Sequence, residues 1–236
     1  MIQSYCHGRG GGDLGKQWYE AGRLYNKENA INDYIACANA ISNKVIQIPN
    51  APRDDNDQKE PIFLASKSFS AGGLVVAASI NRCNDENQGK LFQAASLVNP
   101  FLDVMETMSN DTSSSGDYLV EHEHDEFGDP INDDKAQSLI QSYCPVSNIN
   151  EHISYPPMFV VSTLDDENVP FHHGVVYTKT IRESMKIGNK DNQGHHNNIL
   201  LHVEEFGGHH LHGRRLDVCT LENCFLLGYL HSHITK

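Results

Sequence analysis

One serine in this sequence stands in a setting that favours nucleophilic chemistry. Ser70 lies in the run SFSAGG, where Ala71 and Gly72 are small enough to let two elements approach closely. A short apolar run, residues 61–65, precedes it, and an Ala-rich apolar run, residues 74–80, follows it. A strand, a sharp turn with serine at its apex and a helix are together typical of a nucleophile elbow. Ser68 stands where such elbows usually have glycine, so an ordinary loop rich in Ser and Gly is the alternative.

Two later segments offer the acid and the base that a serine nucleophile requires. Asp165 and Asp166 follow a β-rich run at 158–162, and His209 and His210 follow another at 199–203. Carboxyl ends of parallel strands meet at one edge of a sheet, so we expect a serine, a carboxylate and an imidazole to converge there. The histidine would accept the serine proton and the carboxylate would orient the imidazole. The residues alone leave the choice within each pair open.

The elements that must position these groups alternate between strands and helices. Strands are predicted at 1–6, 61–65, 91–98, 158–162 and 199–203, and helices at about 30–42, 74–80 and 172–186 and again near the C-terminus. A polar loop at about 44–60 and a linker at about 186–197 interrupt the pattern. This alternation predicts an α/β fold, with a mostly parallel sheet covered by helices on both faces. The Ala71 N–H, at the start of the helix after the elbow, is the natural first oxyanion donor.

Composition narrows the classes of partner. The chain has 236 residues and a formal net charge of −13, which argues against nucleic acid or an anionic membrane surface as partner. Six scattered cysteines, several of them in apolar runs, predict reduced and buried thiols and a cytoplasmic location. No run resembles a signal peptide or is long enough to span a bilayer. The sequence leaves the oligomeric state open.

Several motifs, in this order along the chain, resemble the catalytic domain of the prolyl oligopeptidase family. They are HGRGGGDLGKQWYEAG at 7–22, FSAGG at 69–73, PFLDV at 100–104, YPP at 155–157, LDDENVP at 164–170 and FGGH at 206–209. The similarity is greatest to oligopeptidase B and the prolyl endopeptidase-like branch. The resemblance implies an α/β-hydrolase fold and a serine peptidase that acts on short peptides without a cofactor.

The resemblance also assigns roles to single residues. It implies Ser70 as nucleophile, Asp166 as acid and His209 as base. Acidic side chains beside a motif similar to Phe127-Gly128-Asp129-Pro130 hold a basic substrate residue in oligopeptidase B, and the matching positions here are Glu123 and Asp125. A plain acidic surface loop is the alternative for these two. The resemblance further assigns Arg9 to substrate binding.

The chain departs from the family pattern in ways that affect activity. We expect residues 1–236 to form a single, partial catalytic domain, truncated at its N-terminal strands and without the family's propeller. A tyrosine that serves as second oxyanion donor in the family, and the strand that carries it, are not among these residues. The strand at 1–6 would then lack its neighbour. We therefore expect a weak hydrolase, more active on esters than on peptides.

Other functions are consistent with parts of the sequence. The run HGRGGG at 7–12 is similar to the oxyanion loop of lipase-type esterases, which makes an esterase the second hypothesis. Metal binding is the third hypothesis. It is disfavoured because Cys219 and Cys224 have a spacing that points their thiols apart on a helix, and because the histidine-rich runs lack a partnered cysteine or carboxylate pattern. A non-enzymatic interaction fragment is the alternative to all three. The remaining histidines of these runs are predicted to be solvated loop residues; they are His172, His173, His210 and His212.

Overall fold

Four parallel strands form the central sheet. The computed structural model describes residues 2–43, 62–85, 89–109, 118–153, 155–188 and 198–234. In the sheet, β1 (Ala65–Phe69), β4 (Ala94–Val98), β5 (Met158–Thr163) and β6 (Ile199–Glu204) lie side by side in that order. Two short strands, β2 (Asn84–Asp85) and β3 (Gly89–Lys90), form a separate antiparallel pair. The predicted polar loop at 44–60 and most of the linker at 186–197 lie outside the described residues.

Helices cover both faces of this sheet. The long helices are α2 (Glu28–Ser42), α3 (Gly72–Cys83), α7 (His172–Gly188) and α8 (Arg215–Ile234), and the shorter ones are α1 (Lys16–Glu20), α4 (Val104–Ser109), α5 (Tyr118–Phe127) and α6 (Asp134–Tyr143). Successive strand residues point to opposite faces. Along β5, Val160 therefore packs in a cluster with α3 and α7, whereas Val161 packs with Val218 of α8. The predicted α/β architecture is confirmed.

The strand before the serine lies four residues later than the sequence predicts. The apolar run at 61–65 precedes β1, and β1 itself is the polar segment ASKSF. In the described sheet β1 is an edge strand, with β4 on one side. An edge strand with one covered face needs an apolar or buried residue only at alternate positions, and here Ser66 is buried while Lys67 is exposed.

The N-terminal segment is attached to a helix instead of the sheet. The strand predicted at 1–6 is wrong for the described residues 2–6, which have no regular secondary structure. Arg9 forms an ion pair with Asp33 of α2, with Nε and Nη2 lying 2.8 and 2.6 Å from its two carboxylate oxygens. Cys6 and Cys37 form a disulfide to the same helix. A strand persists only where another strand hydrogen-bonds to it, and side-chain links hold this segment on α2.

The cysteines also differ from the prediction of reduced, buried thiols. The Cys6–Cys37 pair is oxidised, and of the four free cysteines Cys144 is the buried one. The prediction failed because Cys6 and Cys37 are far apart in sequence, at a separation of 31, and only the folded chain brings them together. Within the described ranges, no helix combines the length and the apolar character that crossing a bilayer requires.

Candidate active site

The turn after β1 holds Ser70 in a strained backbone conformation. Its φ is 54°, in the left-handed region that residues with a side chain rarely occupy. Three backbone hydrogen bonds fix this turn: the Ser70 N–H donates to Val98 at 3.0 Å, and the Ser70 carbonyl accepts from Gly73 at 2.8 Å and from Phe101 at 3.1 Å. The turn therefore joins the ends of β1 and β4 to the start of α3, and it presents the Ser70 side chain at the carboxyl edge of the sheet.

The structure brings Ser70, His209 and Asp166 together. His209 Nε2 lies 2.9 Å from Ser70 Oγ, and His209 Nδ1 lies 2.8 and 3.0 Å from the two carboxylate oxygens of Asp166. This network assigns the proton to Nδ1, which donates to Asp166, and leaves the Nε2 lone pair facing the serine hydroxyl. The side chains of His209 and Asp166 are 5% and 1% exposed. The arrangement can accept a proton from Ser70 and stabilise the resulting imidazolium.

The two adjacent aspartates have different contacts. Asp166 Oδ1 also accepts the backbone N–H groups of Asn168 and Val169, at 2.9 and 2.8 Å, so its carboxylate is fixed in place. Asp165 instead accepts the N–H groups of Gly207 and Gly208, at 3.1 and 2.8 Å. These backbone donors, Gly208 first, lower the pKa of Asp165 below its usual range. Asp166 thus faces the imidazole, and Asp165 holds the loop that carries it.

The neighbouring histidines are also distinguished. His210 is exposed and its ring stacks on Phe69 at 5.7 Å, whereas His209 is buried and contacts Ser70. His212 is exposed as well, so the prediction of solvated residues is confirmed for His210 and His212. Phe69 packs against the His209 ring at 4.8 Å between centroids, a contact that the sequence did not indicate.

The oxyanion donor predicted at Ala71 has the expected position in the chain. Ala71 directly precedes α3, and the first N–H groups of a helix have no partner within it. The partial positive charge of the helix N-terminus adds to the attraction for a developing oxyanion. The glycine run at 10–12 has other partners: Gly10 donates to the Trp18 carbonyl at 3.1 Å, and Gly11 donates to Gly8 at 3.3 Å. These contacts do not favour the lipase-like oxyanion loop.

The residues predicted to bind substrate have the following surroundings. The Arg9 guanidinium is engaged by Asp33, as described above. Glu123 and Asp125 lie on α5 and are exposed, so the segment is a helix and not the acidic loop considered as the alternative. The Asp125 carbonyl accepts Arg23 Nη1 at 2.7 Å. The roles of Arg9, Glu123 and Asp125 in substrate binding stay predictions.

His173 differs from the prediction of a solvated loop residue, because it is 1% exposed near the start of α7. Its Nδ1 accepts the backbone N–H groups of Leu102 and Asp103, at 3.2 and 3.3 Å. Thr107 Oγ1 donates to the Asp103 carbonyl and lies 3.0 Å from His173 Nε2, so Nε2–H must donate to that hydroxyl. Burial, with a smaller contribution from His172, lowers the pKa of His173 to about 3.

These contacts also bear on a possible metal site. Glu106, His172 and His173 place ligand atoms within 4.8 Å of one another, a carboxylate–histidine group that the sequence did not indicate. A histidine binds a metal through a free ring lone pair. Both ring nitrogens of His173 are already committed to hydrogen bonds, one as acceptor and one as donor. The group is therefore poorly suited to hold an ion.

A buried asparagine that directly follows β4 also belongs to the site and was not predicted from the sequence. Asn99 has a φ of 42° and is 2% exposed. Its Nδ2 donates to the backbone carbonyl of His209 at 2.8 Å, and its Oδ1 accepts the hydroxyl of Thr163 at 3.0 Å. An asparagine at a strand end is the available signal, since Asn tolerates a positive φ better than most residues, but the sequence does not reveal its partners.

Comparison with known proteins agrees with this geometry. The Prolyl oligopeptidase family profile matches residues 1–50 and 64–232. A prolyl endopeptidase-like protein of Macaca fascicularis is 35% identical over 210 residues, which are 88% of this chain and 26% of that protein. Protease 2 of Moraxella lacunata is 32% identical over 174 residues, 74% of this chain and 22% of that protein. The chain thus spans about a quarter of the length of these relatives.

Solved structures show the same fold. Oligopeptidase B from Trypanosoma brucei, in a closed form with covalently bound antipain, superposes with a TM-score of 0.74 at 28% identity. The match covers 95% of this chain and 28% of that one. Oligopeptidase B from Leishmania major gives the same TM-score and identity and covers 96% of this chain. The α/β-hydrolase fold expected from the sequence is therefore confirmed.

Proposed function

Because the chain belongs to the prolyl oligopeptidase family, we propose that it is a serine hydrolase that cleaves peptide bonds in short peptides. Ser70 is the nucleophile, His209 the general base and Asp166 the residue that orients it. The observation that carries this proposal is the continuous hydrogen-bonded chain from Ser70 Oγ through the imidazole to the buried carboxylate. Each contact falls within the range that proton transfer requires.

The chemistry follows from these contacts. Ser70 Oγ attacks the carbonyl carbon as its proton moves to His209 Nε2, and the Ala71 N–H stabilises the negative oxygen of the tetrahedral intermediate. The imidazolium then gives the proton to the leaving amine, which breaks the C–N bond and leaves an acyl ester on Ser70. A water molecule, deprotonated by His209, attacks that ester and restores the serine.

Labelling with a fluorophosphonate probe tests the proposal, because the probe modifies only an activated serine. We expect the parent chain to be labelled at Ser70 and Ser70→Ala to be unlabelled. Ser68→Ala is the matched control: it removes another serine hydroxyl from the same turn, and Ser68 Oγ is buried without a hydrogen-bond partner among the described residues. Labelling that survives in Ser70→Ala, or a folded parent that is not labelled, would contradict the proposed function.

We further propose that Glu123 and Asp125 select an Arg or Lys side chain of the substrate. Their exposure on α5 and the excess of acid in the chain, net −13, support this, since carboxylates bind guanidinium and ammonium groups through charge-assisted hydrogen bonds. Reversal of both charges to Lys should abolish the preference for basic over neutral substrates and leave neutral esters unaffected. The pair Glu151→Lys and Glu183→Lys, also exposed acids, is the control. Equal loss on both substrate types would show a structural role.

Two broader assignments remain proposals. We propose that residues 1–236 act as one catalytic unit, which is supported by apolar clusters that connect helices from both halves of the chain to the sheet. We also propose a cytoplasmic location, which the four free cysteines support, because the cytosol keeps most thiols reduced. The Cys6–Cys37 disulfide counts against this location for the same reason.

A further inference from the structure

We propose that Asn99 is a positioning residue for the catalytic base: its side chain holds the backbone of His209 at a fixed distance from Asp166. This inference rests on the proposed function, since it concerns the same site. Asn99 does not contact the reacting atoms, so its effect on the reaction passes through His209.

The hydrogen bonds of Asn99 are few and well defined. The Asn99 N–H donates to the Val161 carbonyl of β5 at 2.8 Å, which anchors its backbone to the neighbouring strand. Nδ2 donates to the His209 carbonyl at 2.8 Å, and Oδ1 accepts from Thr163 Oγ1 at 3.0 Å. Asn99 and Thr163 are 2% and 0% exposed, so water does not compete for these bonds. In such surroundings a hydrogen bond is strong and its loss is costly.

Asn99 links the element that carries the base to the element that carries the acid. Thr163 ends β5, and its carbonyl accepts the Asp166 N–H at 3.2 Å, so Thr163 sets the position of the acid. The Asn99 amide spans the gap between Thr163 and the His209 backbone. The Nδ1 contacts of 2.8 and 3.0 Å between His209 and Asp166 therefore depend on both ends of this link. Small errors in such distances reduce rates strongly.

Asparagine suits this position for two independent reasons. At a φ of 42°, side chains other than Asn and Asp are strained. The two side-chain bonds require one donor and one acceptor at the same carbon, which an amide supplies and a carboxylate does not. Replacement by Gly removes the side-chain hydrogen bonds but keeps the backbone conformation. It therefore separates the effect of the hydrogen bonds from the effect of the backbone conformation.

The hydrogen bond between His209 Nδ1 and Asp166 can be observed directly by NMR. A proton held in a short hydrogen bond to a carboxylate resonates far downfield, and its signal moves upfield as the bond lengthens. A role of Asn99 confined to overall stability would leave this signal unchanged.

The experiment compares the parent with Asn99→Gly and with Asn84→Gly. Asn84 is also a buried asparagine, and its Nδ2 donates to the Phe92 carbonyl at 3.2 Å. It follows the far end of α3, about 18 Å from the elbow for a helix of this length. The chemical shift of the His209 Nδ1 proton is measured by NMR, and the rate of fluorophosphonate labelling is measured on the same samples. Thermal unfolding reports stability.

We expect Asn99→Gly to move the NMR signal of the His209 Nδ1 proton upfield and to lower the labelling rate by about tenfold. Thr163→Val, which removes the hydroxyl that holds Asn99 Oδ1, should change both in the same direction. Asn84→Gly should lower stability and change neither. An unchanged Nδ1 proton signal in Asn99→Gly, with stability lowered as in the control, would overturn the inference. An upfield shift of this signal, in a protein whose parent is not labelled, would support the inference and reject the proposed function.

Discussion

Asp165 and Asp166 divide two tasks between adjacent side chains. The Asp166 carboxylate accepts a hydrogen bond from Nδ1–H of the imidazole. The Asp165 carboxylate accepts hydrogen bonds from two backbone N–H groups of the loop that carries the imidazole. The sequence could not assign these tasks, because both residues follow the same strand and have the same chemistry. The structure distinguishes them, since neighbouring residues in a turn point in different directions.

Substitution of each aspartate should separate the tasks. We expect Asp166→Asn to lower turnover by about 10⁴-fold, as the equivalent change does in a well-studied serine protease, because an amide no longer favours the required imidazole tautomer. Asp165→Asn keeps one acceptor oxygen for the loop and should lower turnover by no more than about tenfold. Hydrolysis of a chromogenic ester by both variants at pH 7.5 provides the measurement. Comparable losses in the two would contradict the assignment.

His173 should make the fold sensitive to acid. Its pKa is lowered to about 3 in the folded protein, mainly by burial, whereas in the unfolded chain it is near 6.5. The folded state therefore binds fewer protons between these values, so this contribution to stability is complete above pH 6.5 and is lost as pH falls. The expected slope is about 1.4 kcal/mol per pH unit within that window. The main physical cause is burial, which disfavours the charged imidazolium, with a smaller contribution from His172. A protonated Nδ1 would also no longer accept the Leu102 and Asp103 N–H groups.

Urea unfolding at pH 7 and pH 5 measures this slope. The parent and His172→Gln, the control in the same helix, should lose stability to a similar extent between the two pH values. His173→Gln should be less stable at pH 7 but lose much less on acidification. If His173→Gln retains the parent's slope, another group is responsible. This prediction could not be made from the sequence, because His172 and His173 are adjacent and only their burial in the folded protein distinguishes them.

At the scale of elements, the strand–serine–helix order was predictable and the position of the strand was not. Apolar runs on both sides of Ser70 predicted the elbow, but β1 is Ala65–Phe69, whose polar residues are tolerated on an edge strand. The strand expected at 1–6 does not form in the described residues 2–6. A strand-like composition is not sufficient when no neighbouring strand hydrogen-bonds to the segment, and the ion pair of Arg9 with Asp33 holds the segment against α2.

The start of α3 depends on close packing that only glycine permits. A Cβ added at Gly73 would lie 2.4 Å from Pro100 Cβ and 2.9 Å from Pro100 Cα, in the loop that follows β4. We expect Gly73→Ala to lower the free energy of unfolding by about 1–3 kcal/mol through overpacking. At Gly72 the nearest atom is Ser68 Cβ at 3.7 Å, an ordinary contact, so Gly72→Ala should be neutral or slightly stabilising. Denaturant unfolding of both variants checks this, and equal effects would contradict it.

At the scale of the molecule, the fold class was predictable and the strand order was not. Alternation of apolar runs predicted a parallel sheet with helices on both faces, which the clusters around β5 confirm. The order β1-β4-β5-β6 depends on long-range contacts that periodicity does not encode. The same holds for the triad: each residue type was visible at a strand end, but the distances arise only when these strands lie side by side.

The whole-molecule arrangement also predicts which substrates the 236-residue chain will cleave. Ala71 is the oxyanion donor assigned among the described residues, and removal of one of two such donors lowers turnover by about 10²–10³-fold in serine proteases. An amide, whose leaving group is poor, requires that stabilisation more than an activated ester does. We therefore expect measurable hydrolysis of a p-nitrophenyl ester before any cleavage of a matched peptide amide, with both activities absent in Ser70→Ala. Cleavage of the amide at a rate comparable to the ester would show that the chain supplies a second donor.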